Sequence, residues 1–262
     1  MATIGLVIST YNWPEALERV LDSALAQSTP PAEILMADDG SGPETAALVR
    51  RFAERAGFPI IHVWQEDRGY RLARIRNQAI ARASADYLVF LDGDQVLHRH
   101  FVRDHLAAAR PNTVLRGSRV FLTPAATAQV LDTGRVPRWW SPGLRKRAAA
   151  LRVPPLAWLL GAWRGRGTQG HNLACWRADA VRVNGFEERF EGWGGEDADF
   201  VIRLLNAGVR KRRLRFAGVL FHLDHPPASR TRQASNDRIY DETVATGRIR
   251  AEVGLDQAKS VP

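Results

Sequence analysis

Two pairs of acidic residues, each placed just after a short apolar run, are the first indication of chemistry in this sequence. The sequence Asp-Gly-Asp at 92–94 follows the apolar run 87–91. Such a pair offers carboxylates to a divalent cation and leaves other coordination positions for phosphate oxygens. Asp38 and Asp39 follow another apolar run, where a carboxylate can accept a hydrogen bond from a base or a ribose. Asp and Gly are also common in turns, so neither pair is specific alone.

A later loop combines groups that suit a sugar and its hydroxyl groups. Its sequence is Gly-Trp-Gly-Gly-Glu-Asp at 192–197. Glu196 or Asp197 could take a proton from a hydroxyl group, with Asp197 preferred as the base. Trp193 offers an apolar face, while Gly194 and its neighbouring glycine permit positive φ and close approach of the backbone. The alternative is that both acids merely stabilise the N-terminus of the helix that follows.

Two histidines near the end of the last predicted strand are candidate metal ligands. His222 ends an apolar run, and His225 follows three residues later. An imidazole is a suitable further ligand for a cation already bound by carboxylates. His222 is preferred and His225 is the substitute. A chance pair, or buried histidines that serve only packing, is the alternative.

The elements that must position these residues alternate between strand and helix in the first half. Strands are predicted at 4–9, 34–37, 60–64 and 87–91, and helices at 44–55 and at 71–83. A further helix is predicted with Pro14 in its first turn, apolar positions as far as Leu25 and an end at Pro30. This alternation predicts an α/β fold with a mainly parallel, Rossmann-like central sheet and helices on both faces. The acids at the strand ends are then expected to face one crevice.

The second half is predicted to be less regular. A short strand is expected at 172–176, helices at 178–183, 196–206 and 236–246, and one continuous strand at 213–222. Before it, residues 135–167 mix arginine with tryptophan and contain no acid. This basic, Trp-rich segment is interpreted either as a solvated loop or as a surface that docks on anionic lipid.

Composition limits the class of protein and its surroundings. The 262 residues include 37 Lys and Arg against 28 Asp and Glu, a formal charge of +9. This excess predicts attraction to phosphates, whether in nucleotides, nucleic acid or a membrane surface. Cys175 is the single cysteine, and the N-terminus has no signal-peptide pattern. A cytoplasmic protein is expected, either soluble or peripheral on the inner face of the membrane.

Together, the motifs carry a family resemblance. The sequences at 7–12 and 37–41, Arg76-Asn77, and the run ending in Asp-Gly-Asp resemble the family 2 glycosyltransferases of the GT-A fold. The sequences at 172–177, 183–186 and 192–197, with Asp199 and Arg203-Leu204, are similar to the C-terminal region of the β-1,4-galactosyltransferase superfamily. Ala198 stands where an acid often occurs in that superfamily, so the resemblance leaves the acceptor sugar open.

The resemblance implies roles for individual residues. Thr10, Tyr11, Asp38 and Asp39 would hold the uracil and ribose of the donor, with Arg71 or Arg76 supporting the base or the diphosphate. Asp92, Asp94 and His222 would bind Mn²⁺ or Mg²⁺. Trp193, Gly194, Glu196 and Asp197 would form the acceptor site, with Asp197 as catalytic base.

The resemblance also implies an activity and a division of the chain. An inverting hexosyltransferase would use a UDP-sugar, with galactose favoured, and a glycan or lipid-linked glycan acceptor in surface polysaccharide or lipopolysaccharide synthesis. Residues 1–122 would bind the donor, 123–170 would form a linker, 171–225 would bind the acceptor, and 226–262 would be a polar tail. Alternatives are a nucleotidyltransferase of the same fold and a basic nucleic-acid-binding module, although no nucleic acid partner is expected.

Overall fold

A computed structural model of the chain describes residues 2–159, 172–227 and 229–258. The strands are β1 (Ile4–Thr10), β2 (Glu33–Asp38), β3 (Ile60–Trp64), β4 (Tyr87–Asp92), β5 (Gln95–Leu97), β6 (Thr113–Gly117), β7 (Val120–Leu122), β8 (Leu144–Arg145), β9 (Leu173–Trp176), β10 (Arg210–Leu214) and β11 (Leu220–His222). The helices are α1 (Pro14–Leu25), α2 (Pro43–Arg55), α3 (Leu72–Arg82), α4 (Phe101–Ala108), α5 (Pro124–Thr133), α6 (Pro154–Leu159), α7 (Arg177–Arg182), α8 (Glu196–Asn206), α9 (Gln233–Thr246) and α10 (Leu255–Ala258).

The larger sheet has seven strands in the order β10-β6-β9-β4-β1-β2-β3. Its pairs are parallel except for those of β9, which runs antiparallel between β4 and β6. The predicted α/β fold with a mainly parallel sheet is thus confirmed. Because β9 comes from residues 173–176, the segments expected to form donor and acceptor halves share one sheet.

Apolar side chains on both faces of this sheet explain the two layers of helices. Strand β1 is buried along its whole length, as expected for a strand covered on both sides. Its Leu6 and Ile8 pack on one face with Leu17 and Val20 of α1, whereas Val7 packs on the other face with Ile75 of α3. Helices α1 and α2 therefore cover one face, and α3 and α8 cover the other.

Strand register brings the predicted site residues to one edge of the sheet. Ser9 pairs with Asp92 in β4, and Thr10 pairs with Asp38 in β2. The carboxyl ends of parallel strands meet at the same edge, where α/β proteins bind their ligands. The acidic ends of β2 and β4 accordingly lie beside the end of β1.

A smaller sheet of four strands, in the order β5-β11-β7-β8, extends from this edge. In it, β11 runs antiparallel to β5, so that His222 lies opposite Gln95. Leu223 continues the pairing by donating its backbone N–H to the Asp94 carbonyl at 2.9 Å. The late strand is thereby aligned with the Asp-Gly-Asp turn.

The single strand predicted at 213–222 is wrong. The chain instead forms β10 and β11, which belong to different sheets. Between them Phe216 and Gly218 have positive φ values of 57° and 58°, which an extended strand does not allow. An apolar sequence continued across the break, so hydropathy alone gave no sign of the turn.

The basic, Trp-rich segment is only partly described, since its residues 160–167 lie outside the described residues. The part that is described includes β8, a 3-10 turn at Arg147–Ala150 and α6. Among the described residues, no helix combines the length and the apolar character that crossing a bilayer requires.

Candidate active site

The centre of the candidate site is the guanidinium group of Arg76, a residue of α3 that is 1% exposed. Its Nη1 donates to Asp197 Oδ1 at 2.8 Å, and its Nη2 donates to Asp92 Oδ1 at 3.2 Å. The Nε of the same side chain donates to the Ser9 hydroxyl at 3.1 Å. One buried cation therefore joins the end of β1, the end of β4 and the first turn of α8.

Two carboxyl groups near Arg76, those of the half-buried Asp92 and the buried Glu196, have raised pKa values. Burial, with the negative charge of Asp94, raises the pKa of Asp92 to about 6, although Arg76 opposes the shift. Burial, with the negative charge of Asp197, raises the pKa of Glu196 to about 8. Glu196 is therefore mostly protonated at neutral pH, and a neutral carboxyl group can donate a hydrogen bond.

Three side chains next to these acids form a candidate metal site. Asp94, His222 and His225 each present one ligand atom, and these atoms lie within 4.8 Å of one another. Asp94 Oδ2 is 3.6 Å from His222 Nε2 and 3.0 Å from His225 Nε2. Asp94 Oδ1 is buried and has no hydrogen-bond partner among the described residues. An unpartnered carboxylate oxygen beside two imidazoles fits a divalent transition metal such as Mn²⁺.

The carboxylate of Asp92 is oriented differently from that of Asp94. Its Oδ1 accepts from Arg76, and its Oδ2 accepts from Gln95 Nε2 at 2.6 Å. The structure thus brings Asp94 together with both histidines, whereas Asp92 contacts the buried arginine. The hydrogen bond to Asp94 also raises the pKa of His225 to about 9. A metal ion would have to displace that proton, because imidazole binds metals in its neutral form.

The residues predicted to hold the nucleoside include Thr10 and Tyr11, at the end of β1. Thr10 is buried, whereas Tyr11 is 54% exposed and donates its hydroxyl to Asp67 Oδ2 at 2.9 Å. Gly93 approaches this strand end so closely that a Cβ would lie 3.0 Å from Thr10 Oγ1 and 3.0 Å from the Ser9 carbonyl. The glycine of the Asp-Gly-Asp sequence therefore fits closely against the end of β1, and a side chain there would force this strand end to shift slightly.

Asp38 and Asp39 both hold neighbouring loops in place. Asp38 is fully buried, with one oxygen accepting a backbone N–H of the next turn at 2.8 Å and the other 2.9 Å from His62 Nε2. Asp39 accepts the backbone N–H of Arg71 at 2.8 Å and donates its own N–H to the Thr10 carbonyl at 3.0 Å. The predicted nucleoside residues Thr10, Asp39 and Arg71 thus lie together at the end of β1.

The loop at 192–197 has the backbone that its glycines predicted. Gly194 and Gly195 have φ values of +98° and +102°. A Cβ on Gly195 would lie 2.6 Å from the Phe190 ring, but one on Gly194 would meet nothing within 4 Å. Trp193 is 39% exposed. The glycines therefore differ in function: Gly195 allows close packing, and Gly194 leaves open space beside an exposed indole.

Helix α9 donates hydrogen bonds to the backbone of this loop. Asn236 is 2% exposed, and its Nδ2 donates to the carbonyl oxygens of Gly194 at 2.9 Å and Glu191 at 3.1 Å. Arg230 Cζ lies 4.8 Å from the centroid of the Trp193 ring, which is a cation–π contact. Residues from the predicted polar tail therefore help to shape the site.

Several residues of the site carry no sequence pattern that marks them. Gln95 and Asn236 are uncharged, and Asn236 lies 42 residues from the Gly194 carbonyl that it binds. Ser9 lies within the motif at 7–12, but its hydrogen bond to Arg76 depends on the packing of α3 against β1. Only the position of Gln95 directly after the Asp-Gly-Asp sequence could have drawn attention to it.

The fold and the clustered acids together define a glycosyltransferase. Residues 6–150 match the family described as glycosyl transferase family 2, which is more than half of the chain, and residues 162–226 match the domain described as the N-terminal domain of galactosyltransferase. The chain therefore belongs to glycosyl transferase family 2, as its motifs predicted. This membership favours glycosyl transfer over the nucleotidyltransferase and nucleic-acid-binding alternatives.

Curated relatives include two enzymes that act on sugars. The validoxylamine A glucosyltransferase of Streptomyces hygroscopicus subsp. limoneus is 33% identical over 226 residues, covering 79% of this chain and 48% of the relative. The chondroitin synthase of Pasteurella multocida (strain Pm70) is 25% identical over 249 residues, covering 85% of this chain and 25% of the relative. The chain thus spans about half of the first relative's length, and less of the second.

Two solved structures share the fold. S. aureus TarS 1-349 in complex with UDP aligns with a TM-score of 0.66 at 17% identity, covering 98% of this chain and 68% of that one. The mannosyltransferase PcManGT from Pyrobaculum calidifontis, in complex with GDP-Man and Mn²⁺, aligns with a TM-score of 0.64 at 19% identity, covering 94% and 64%. These likenesses confirm the GT-A fold.

Proposed function

We propose that this protein is an inverting, metal-dependent glycosyltransferase that moves a hexose or N-acetylhexosamine from a UDP-sugar to a glycan acceptor. The main support for this proposal is the position of Arg76, whose guanidinium contacts Asp92 at 3.2 Å and Asp197 at 2.8 Å. The acid at the donor edge of the sheet and the proposed base therefore share one buried partner. Single displacement at an anomeric carbon needs such a base close to the donor.

The residues of the site divide the tasks of this reaction. Asp197 would take the proton of the acceptor hydroxyl, and Trp193 and Gly194 would position the acceptor sugar. Asp94, with His222 and His225, would hold Mn²⁺ or Mg²⁺, and the two imidazoles favour Mn²⁺. When bound, the ion supplies positive charge that stabilises the departing diphosphate. Thr10, Tyr11, Asp39 and Arg71 would bind the nucleoside, with Asp38 shaping the turn.

The donor sugar is proposed from two similarities that point to different hexoses. The match of residues 162–226 to the galactosyltransferase domain favours galactose. The relative that is 33% identical transfers glucose, according to its name. UDP is favoured as the nucleotide because a structural neighbour binds it. We therefore expect UDP-galactose or UDP-glucose as donor, ahead of the N-acetylhexosamine donors.

A thermal-shift panel tests the donor site. The protein is melted with UDP-, GDP-, CDP- and dTDP-sugars, with and without Mn²⁺. A ligand that binds only the native state raises the melting temperature as its concentration increases. The expected result is a Mn²⁺-dependent shift with UDP-sugars that is lost in Asp94→Ala. An equal shift with EDTA, or none with any UDP-sugar, would contradict the proposal.

We further propose that the enzyme contacts an anionic membrane while it extends a surface polysaccharide or lipopolysaccharide. Trp139 and Trp140 are 49% and 56% exposed, and Arg145 and Arg147 are exposed nearby. Tryptophan favours the membrane interface, and arginine is attracted to anionic lipid headgroups. Flotation with phosphatidylglycerol vesicles should recover the wild-type protein but not a variant with all four residues replaced by Ser. Equal flotation of the two proteins would contradict the idea.

A further inference from the structure

Four basic residues lie close together on β6, on β10 and in the loop after β6. Arg213 of β10 pairs in register with Arg116 of β6, and Lys211 lies two residues earlier on the same face of β10. Arg119 follows in the loop between β6 and β7. These four residues, Arg116, Arg119, Lys211 and Arg213, are called the basic cluster.

The members of the basic cluster repel one another. Burial, followed by the charges of Arg213 and Arg119, lowers the pKa of Arg116. Burial and the charge of Arg116 lower the pKa of Lys211 to about 8. Basic groups gathered in one place create a positive potential that attracts an anion. The basic cluster therefore suits a ligand that carries negative charge.

The basic cluster faces the catalytic acids. The negative charge of Asp197 acts on Arg116, and those of Asp92 and Asp94 act on Arg119. The Cζ of Arg119 also lies 4.5 Å from the centroid of the Phe121 ring, which is 5.3 Å from the His222 ring. Arg119 Nε is buried and has no hydrogen-bond partner among the described residues.

Sheet order places the cluster on the side opposite the nucleoside residues. In the order β10-β6-β9-β4-β1-β2-β3, β6 and β2 each lie two strands from β4, in opposite directions. Neighbouring strands are about 4.8 Å apart, so each group lies roughly 10 Å from the end of β4 along the sheet. Asp38 and Asp39 therefore lie on one side of Asp92, at the end of β4, and the basic cluster lies on the other side.

The face of β6 connects the cluster with the loop proposed to bind the acceptor. Val114 shares its face with Arg116, because side chains alternate along a strand. Val114 packs in the same apolar cluster as Phe200 and Leu204 of α8. Arg116 therefore points to the layer of α8, whose first turn carries Glu196 and Asp197.

We infer that the basic cluster binds an anionic group, a phosphate or a carboxylate, that the acceptor carries near the hydroxyl receiving the sugar. The inference rests on the proposed function, because it takes the Asp197 side of the crevice as the acceptor side. Guanidinium groups bind both anions through paired hydrogen bonds. The acceptor is then a charged glycan and not a neutral one.

Binding of matched glycosides to the full chain tests this. Wild-type protein saturated with UDP and Mn²⁺ is titrated by calorimetry with methyl β-glucoside, methyl β-glucuronide and methyl β-glucoside 6-phosphate. Arg213→Gln and Arg119→Gln remove single members of the cluster. Arg212→Gln is the matched control, since Arg212 is on the same strand but on the opposite face. UDP affinity is measured for every protein.

The wild-type protein should bind at least one anionic glycoside about tenfold more tightly than the neutral one, as expected for a charge-assisted hydrogen bond. Arg213→Gln and Arg119→Gln should remove that preference without changing the affinity for UDP or for the neutral glycoside. The anion that gains affinity identifies the group as phosphate or carboxylate. Arg212→Gln should behave as the wild type.

Three results would overturn the inference. One is equal binding of anionic and neutral glycosides by the wild type. Another is failure of every glycoside to bind while UDP binds. The third is a loss of UDP affinity in Arg213→Gln or Arg119→Gln that matches the loss for the anionic glycoside, since the cluster would then belong to the donor site. Failure of UDP itself to bind would instead contradict the proposed function.

Discussion

Arg76 Nη1 lies 2.8 Å from Asp197 Oδ1, although the two residues are 121 positions apart in the chain. The arginine is on α3 of the family 2 region, and the aspartate lies in the first turn of α8 in the galactosyltransferase-like region. A fully buried guanidinium needs paired acceptors, and the two aspartates supply them. The pair therefore couples the acid of the donor edge to the proposed base.

Replacement of Arg76 by lysine tests this coupling. Arg76→Lys keeps the positive charge, but one ammonium group does not reproduce the planar set of donors that reaches both aspartates and Ser9. We expect kcat to fall about 100-fold, as misplacement of catalytic groups commonly does. The measurement is UDP release at saturating donor, with thermal unfolding of the same sample.

The control for this prediction is Arg74→Lys, an exposed position on the same helix. It should retain the wild-type kcat and melting temperature. If Arg76→Lys were as active as the wild type, the guanidinium bridge would not be needed for turnover.

The fold was predictable where one physical pattern dominated. Strand β1 is buried along its length, and α1 has Leu17, Val20 and Leu21 on one face, so periodicity identified both. The break between β10 and β11 was not predictable, because it depends on positive φ at Phe216 and Gly218 within an apolar sequence. For residues 95–134 the sequence predicts no element, whereas the structure forms five elements there, from β5 to α5.

For the site, sequence motifs identified the acids but not their partners. Asp92, Asp94 and Asp197 were recognisable because several motifs occur in one order along the chain, although none of these motifs is specific alone. Which carboxylate contacts Arg76 and which contacts the histidines depends on side-chain orientation. Likewise, Asn236 contributes through an amide that reaches backbone oxygens of a distant loop, and no local pattern encodes that contact.

Substitution of the proposed base tests its role directly. Asp197→Asn keeps the shape of the side chain but does not accept a proton from the acceptor hydroxyl. We expect turnover to fall by about 10² to 10⁴, the usual contribution of a general base. UDP affinity should remain within about twofold by calorimetry, since the proposed nucleoside residues do not include Asp197.

Full activity in Asp197→Asn would reassign the base, and Glu196 would be the next candidate. Asp199→Asn is not a suitable control, because Asp199 is buried and paired with Arg203 at 2.7 Å. Asp179→Asn is suitable, since Asp179 lies on α7 and its carboxylate pairs with Arg182 at 3.0 Å.

The raised pKa of Glu196 predicts how stability depends on pH in the metal-free protein. Burial raises this pKa from 4.5 to about 8, so the folded state holds the proton more tightly than the unfolded chain. The resulting stabilisation is complete below about pH 4.5 and is lost as the pH rises through about 8. Each pKa unit between the folded and the unfolded state corresponds to about 1.4 kcal/mol, so the loss in the free energy of unfolding is on the order of a few kcal/mol.

Glu196→Gln removes this dependence because its amide does not ionise. Free energies of unfolding are measured in urea with EDTA at intervals from pH 5 to 9. The wild type should lose stability relative to Glu196→Gln as the pH rises. Asp92, with a pKa of about 6, also lowers the stability as the pH rises. This effect is present in both proteins, so it cancels when their free energies of unfolding are compared. Parallel curves would show that Glu196 is ionised in the fold at neutral pH.

The last prediction concerns the amide of Asn236, which holds the loop at 192–197 that we propose binds the acceptor. Asn236→Ala leaves the carbonyls of Glu191 and Gly194 without their buried donor, so we expect a loss of about 1–3 kcal/mol in the free energy of unfolding. A loosened loop should also displace Trp193. The acceptor KM should therefore rise about tenfold, while kcat at saturating acceptor and the UDP affinity change little.

Asn206→Ala is the matched control, because Asn206 Nδ2 also donates to a backbone carbonyl, that of Arg248, at 2.8 Å. That bond is exposed and lies at the other end of α8, away from the loop at 192–197. The variant Asn206→Ala should lower the free energy of unfolding slightly and leave the acceptor KM unchanged. If Asn236→Ala lowered the melting temperature but kept the wild-type acceptor KM, the contact would serve folding alone, and α9 would not position the acceptor.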